Sequence, residues 1–308
     1  MKRKNDLTRA AFKTRLRRDW QLYALMFFPL LYILIFRYVP IFGLQIAFKE
    51  YDFGKGIWGS PWVGLKHFQQ FFSSPNFTLV LGNTFKISML TLLLNFPAPI
   101  VLALLLNEIR DGLYKKTVQM VTYAPHFIST VVMCGMIILF LSPRGKIGDI
   151  FGWFNLSVPN VLASAGGFSY LYALSEMWQR TGYGSVIFLA ALSAINPELY
   201  EAARMDGASR IQKIRHIDIP GIMPVIVILL ILNTGNVLNV GFEKIYLLQN
   251  TLNMNGSEVI STYVYKIGLI NANYSFSAAV GFFNSFITFT LLALVNWVAG
   301  RLTDFSLW

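Results

Sequence analysis

The chain has 308 residues, 55% of them hydrophobic and only 13% charged, where a soluble domain carries roughly 25% charged residues. That balance excludes an ordinary soluble domain and points to an all-α protein of the bilayer. The net charge of +11 is no nucleic-acid footprint, because eight basic residues crowd the first nineteen positions directly ahead of an apolar run, and the single cysteine, Cys134, excludes an internal disulfide framework or cysteine metal site.

Residues 1–19 read as a basic cytoplasmic arm against anionic headgroups. Trp20 to Phe36 carries no charge and the run continues past Arg37 to Phe48. It is too long for a signal-peptide core and lacks a small-residue cleavage site, so the first, uncleaved span is placed at about 20–48, kinked at Pro29, Pro40 and Gly43. Residues 49–77 form an outer loop whose Trp58, Trp62, Phe68, Phe71 and Phe72 suit a membrane-interface belt. The second span is about 78–107. The basic loop 108–116 is inside. The third span, about 117–141, holds His126 beside Pro125, read as a packing residue rather than a proton relay. Residues 142–167 are an outer segment with an apolar patch from Ile150 to Leu156 on the interface.

The fourth span is about 168–195. Its Glu176 and Arg180 are spaced i,i+4 and share a face. A structural ion pair near the outer leaflet is the preferred reading, and a role in transport is the other. The fifth span, about 221–243, carries Asn233, Asn236 and Asn239 at a spacing of three, so all lie on one helical face. A pathway lining and helix–helix hydrogen bonding stay open as equals. Residues 244–275 are an outer segment, the sixth span is about 276–300 with Asn284 inside it, and a short inner tail follows. Six spans with both termini cytoplasmic leave sixteen Lys/Arg on inner segments against seven on outer ones.

The polar stretch 196–220, NPELYEAARMDGASRIQKIRHIDIP, lies between spans four and five. Asn196 caps a helix, Pro197 suits its first position and Glu198 its positive end. Leu199, Ala202, Ala203 and Met205 recur at helical spacing, and Gly207 ends the helix in a left-handed conformation. A second short helix starts at Ser209, Asp206 caps the segment beyond the turn, and Pro220 closes the stretch. The expected form is a helix–Gly–helix lying flat beneath the membrane.

Glu201-Ala202-Ala203, Gly207 and Ile217-Asp218-Ile219-Pro220, at this spacing, resemble the EAA signature of ATP-binding-cassette importer permeases. The usual ending is I-x-L-P; Ile219 stands for the Leu and stays aliphatic. Asn83-Thr84, LALLLNEIR from Leu102 to Arg110, Pro125 to Ser129, Val259 to Lys266 and Gly300 to Trp308 further resemble the oligosaccharide and polysaccharide subgroup related to maltose-importer permeases, over nearly the whole chain.

The resemblance implies a type I importer permease fold: a transmembrane permease domain at 20–308 with a cytoplasmic coupling helix in segment 196–220. It implies a second related permease, usually a different chain, two cytosolic ATPase subunits and an extracytoplasmic solute-binding protein that delivers an oligosaccharide. No G-x-x-x-x-G-K-[ST] loop is present, so ATP and Mg belong to the partner ATPase and this chain needs no cofactor or metal. Glu201, Ala202, Ala203, Asp206 and Gly207 are the candidate coupling residues. Trp178, Tyr183, Asn233, Asn236, Asn239 and Asn284 are candidates for the sugar pathway, since rings stack on sugar faces and amides bond hydroxyls. An ion-coupled secondary sugar transporter is the alternative, and a membrane scaffold without a solute path a third. An enzyme is least expected, since no catalytic constellation is present.

Overall fold

Trp20–Phe48 forms α1, and its apolar surface runs all round it: no residue from Trp20 to Ile33 is buried. In water that helix would be untenable; in lipid it is an ordinary span. The computed structural model describes residues 18–142, 145–147, 160–302 and 306. The arm at 1–17, the patch Ile150 to Leu156 and the tail from Thr303, Ser306 excepted, lie outside the described residues. A π-turn at Leu34–Tyr38 precedes Pro40, after which α1 tightens to a 3₁₀ helix. Proline removes one ladder donor, and the backbone accommodates it there.

The other elements are helical too. A short helix, α2, covers Lys66–Phe72. Asn76–Glu108 is α3, restarted at Pro97. Leu113–Phe127 is α4 and Thr130–Leu141 is α5. Phe168–Ser193 is α6, Pro197–Met205 is α7 and Arg210–Thr234 is α8. Phe242–Leu248 is α9, Ile260–Tyr265 is α10 and Tyr274–Leu302 is α11. An isolated bridge between Lys49 and Trp62 is the sole extended pairing among the described residues.

By length and apolarity α1, α3, α8 and α11 can each cross a membrane; counting the bent pairs α4–α5 and α6–α7 as one span each brings the number to six.

Two expectations are corrected, and one is extended. The third span is not one straight helix over 117–141: α4 and α5 meet at 100°. Pro125 and the extended Ile128 and Ser129 break the helix, and the Ser129 hydroxyl accepts the Val132 N–H to cap α5. The fifth span begins at Arg210 rather than 221, so no second flat helix lies under the membrane. A π-turn at Ile214–Asp218 absorbs Pro220 within a continuous α8, which ends at Thr234. Segment 244–275, read only as an outer segment, is a packed set of helices. The Ile260 N–H donates to the buried Thr84 hydroxyl (2.9 Å), Asn83 donates to the Asn255 and Glu258 carbonyls, and Lys266 pairs with Glu258 at 2.6 Å.

Packing centres on α6, which lies against both halves of α3 and against α4 and α8. Within lipid, helices associate through close fit and small residues rather than by escape from water. Gly182 shows this: a Cβ there would sit 1.9 Å from the Thr122 carbonyl oxygen of α4. At one end of the bundle Ala103, Leu104, Phe188, Leu192 and Ile222 form an apolar core; further along, Ile87, Phe168, Tyr172, Val240 and Ile245 form another.

Candidate functional site

Two regions carry polar chemistry, one at each end of the α6–α8 pair. The first is α7. The Asn196 side chain accepts the Glu198 N–H at 3.0 Å, with Pro197 in the first turn. At the other end Gly207 has φ +72°, its N–H donates to Arg204 O and the Ala208 N–H donates to Ala203 O, a complete Schellman closure. Asp206 is the C-terminal cap residue of α7 and does not cap the next helix. Ser209 caps it instead, in a reciprocal capping box with Gln212.

The α7 helix leaves α6 at 74°. Its Glu201 and Ala202 are exposed, Met205 is 89% exposed and the neighbouring Ile211 78%. Leu199, Ala202, Ala203, Asp206 and Gly207 line one side of a groove of about 460 Å³. Behind α7 one bond ties it to α8 and another ties α8 to α3. The Tyr200 hydroxyl donates to Asp218 Oδ1 at 2.5 Å, and Lys213 pairs with Glu108 at 3.0 Å. Burial, reinforced by the Asp218 carboxylate, pushes the Tyr200 hydroxyl well above its ordinary pKa.

The second region is a polar cavity of about 230 Å³ between α3, α6 and the end of α8. Asn233, Asn236 and Asn239 all line it, with Ser88, Thr91 and Asn95 of α3 opposite. The three asparagines do not share a helix face, because α8 stops at Thr234 and Gly235 to Gly241 runs as turns and irregular chain. Convergence is achieved by the turn. Asn233 and Asn236 donate back to Leu229 O and Leu232 O, and Asn284 donates to Asn239 Oδ1 at 3.5 Å from α11. Ser88 Oγ, Thr91 Oγ1 and Asn95 Oδ1 are buried with no partner among the described residues, so their hydrogen-bonding capacity is open to a polar occupant.

Trp178 and Tyr183 lie elsewhere on α6. Trp178 is on an apolar groove with Leu102, Val121 and Pro125, and Tyr183 stacks on His126 with ring centroids 4.1 Å apart. Neither lines the polar cavity.

Glu176 and Arg180 do line it, in an ion pair of 2.6 Å. The unforeseen member is Lys244, 2% exposed, whose ammonium reaches Glu176 at 3.0 Å and Gln179 at 3.4 Å and lies 5.7 Å from the Tyr172 ring centroid. Gln179 in turn donates to Ile128 O at the α4–α5 bend, and the Tyr172 hydroxyl accepts the Gly241 N–H. The Ser88, Thr91 and Asn95 stripe was readable at spacings of three and four along α3. Lys244 carried no such signal, because its partner stands 68 residues away.

Residues 95–304 match the family described as Binding-protein-dependent transport system inner membrane component. The chain is 42% identical over 287 residues to Protein LplB of Bacillus subtilis (strain 168), covering 93% of this chain and 90% of that one. It is 43% identical over 281 residues to the polygalacturonan/rhamnogalacturonan transport system permease protein YteP of the same organism, covering 91% and 88%. Among solved structures, a bacterial ABC transporter involved in the import of the acidic polysaccharide alginate has a chain that superposes with a TM-score of 0.88 at 39% identity, over 95% of this chain and 99% of that one. The same transporter in complex with an alginate pentasaccharide-bound periplasmic protein matches equally well, over 96% and 99%.

Proposed function

This chain belongs to the binding-protein-dependent transport system inner membrane components, permeases that cross the bacterial inner membrane several times, and from that premise we propose how it works in an ATP-binding-cassette importer of oligosaccharides or polysaccharide fragments. It forms the pathway together with a second related permease. Two cytosolic ATPase subunits supply the energy, and ATP and Mg bind there. An extracytoplasmic binding protein delivers the sugar.

One observation carries this reading: α6 and α8 join the α7 surface to the polar cavity. From Arg180 to the end of α6 is about 20 Å, and from Lys213 to Asn233 along α8 about 30 Å. Tyr200–Asp218 fastens α7 to α8, and Lys213–Glu108 fastens α8 to the end of α3. A partner that shifts α7 therefore moves both walls of the cavity as a rigid pair. The exposed Met205 and Ile211, the small Ala202 and Ala203 and Glu201, which has no ion-pair partner among the described residues, make a surface that an ATPase groove can receive. The positive-inside excess supports placing α7 and both termini in the cytoplasm.

At about 230 Å³ the cavity is smaller than the roughly 300–1,000 Å³ of a complete small-molecule site, which fits one half of a pathway shared between two permeases.

The test is ATP-dependent sugar uptake in cells carrying Glu201→Ala or Gly207→Asp, with membrane level and ATPase co-purification followed. Uptake and co-purification both fall while the chain stays in the membrane. If both persist at normal level, α7 is not the coupling element and an ion-coupled mechanism takes precedence.

A further inference from the structure

The importer reading leaves the charge of the cargo open; resting on that reading, we propose that the cavity takes carboxylate-bearing sugar chains, uronate oligosaccharides, and that Arg180 is the residue that recognises the charge.

The charge balance at the cavity is uneven. Glu176 is one carboxylate with two cations, Arg180 Nε on Oε2 at 2.6 Å and Lys244 Nζ on Oε1 at 3.0 Å. Lys244 is buried, held by Gln179 and placed beside the Tyr172 ring, so its role is to neutralise Glu176 from behind. One positive charge is left over. It sits at the cavity on Arg180, whose side chain is 69% exposed and whose terminal amino groups have no partner among the described residues.

Within this chain, nothing else among the described residues that line the cavity balances it. Glu176 and Arg180 are the only charged residues that line the cavity among those described. Glu243 and Lys86 are exposed and do not line it.

A surplus cation inside a membrane protein is costly, and a counter-charge relieves that cost. A neutral sugar supplies none; a uronate supplies one on every acidic unit. The open edge of a guanidinium matches a carboxylate in two parallel hydrogen bonds, while Asn233, Asn236 and Asn95 suit the ring hydroxyls. For a neutral cargo the Glu176–Arg180 pair alone would have balanced, with no surplus cation at the cavity.

The complete importer, this chain with its partner permease, ATPases and binding protein, is reconstituted in vesicles and given an oligogalacturonate or its methyl ester, which has the same sugar frame without the charge. ATP-driven uptake of the acid exceeds that of the ester. Arg180→Gln lowers the acid-to-ester ratio about tenfold, the effect of one charge-assisted hydrogen bond, and Arg180→Lys lowers it less. Asn236→Asp, which adds a carboxylate across the cavity and removes no ion pair, lowers the ratio as well, so the test survives if an Arg180 variant fails to assemble. Because the binding protein is the same throughout, a change in ratio reports on the permease. An unchanged ratio in Arg180→Gln and Asn236→Asp with uptake intact overturns the proposal and leaves the importer reading standing. ATP-driven uptake of neither compound by the wild-type importer also overturns the proposal, while the importer reading stands or falls on the Glu201 and Gly207 variants above.

Discussion

Tyr200 and Asp218 stand eighteen positions apart, and the hydroxyl of one meets Oδ1 of the other at 2.5 Å. The bond joins α7 to the N-terminal part of α8 across the Gly207 turn. Asp218 is fully buried, and its second oxygen has no partner among the described residues. This single contact is therefore what keeps a buried carboxylate solvated by protein, and it ties the two helices together, as the proposed lever requires.

Tyr200→Phe removes that donor and leaves the carboxylate unpaired, at a cost of about 1–3 kcal/mol. The expected result is a lower thermal unfolding midpoint for the purified importer and less sugar moved per ATP hydrolysed. Asp218→Asn keeps an acceptor for Tyr200 and carries no charge, so it retains more of both. Equal transport stoichiometry in Tyr200→Phe and wild type would remove the lever from the mechanism.

Gly207 sits at φ +72°, where a side chain is strained although nothing lies within 4 Å of a Cβ. Gly207→Val should destabilise the turn by about 1–2 kcal/mol, and Gly207→Asn by less, since asparagine tolerates the left-handed region. Retention of ATPase in pull-downs should follow the same order: wild type, Asn, Val.

Gly182 is limited by space rather than by φ. Its missing Cβ would lie 1.9 Å from the Thr122 carbonyl oxygen, so Gly182→Ala must push α6 from α4. A loss of about 3 kcal/mol is expected, the upper range for overpacking. Gly82→Ala, with nothing within 4 Å, is the control and should leave detergent thermostability unchanged.

Lys244→Met strips one cation from Glu176 in a buried setting and should cost about 3 kcal/mol. Combining it with Glu176→Gln, which removes the carboxylate that Lys244 neutralises but also the partner of Arg180, should cost less than the sum of the two single losses. Strict additivity of the two losses would show that the two side chains are not energetically coupled.

Much of the architecture was legible because a bilayer imposes long apolar runs, and α1, α3, α6 and α11 match the segments read at 20–48, 78–107, 168–195 and 276–300. The α7 helix was legible to its caps, since Asn196, Pro197 and Gly207 act on neighbours a few residues away. The third span misled because hydropathy registers composition and not direction: 117–141 holds no Asp, Glu, Lys or Arg, yet the chain turns by 100° within it. The fifth misled in the opposite sense, because a π-turn lets α8 run through Pro220.

What the sequence by itself determined is local and periodic: the apolar spans, the basic arm, the helix caps, and an EAA-like stretch whose spacing carries its family resemblance. These arise from interactions between residues a turn or two apart and from contact with lipid. What only the tertiary structure decided is which distant groups meet. Lys244 neutralises Glu176 from 68 residues away, Asp218 finds Tyr200, and the asparagines after Thr234 face Ser88, Thr91 and Asn95 of α3 although they share no helix. Buried charges and amides must find partners wherever the packed helices bring them, and no periodicity in the chain records where that is.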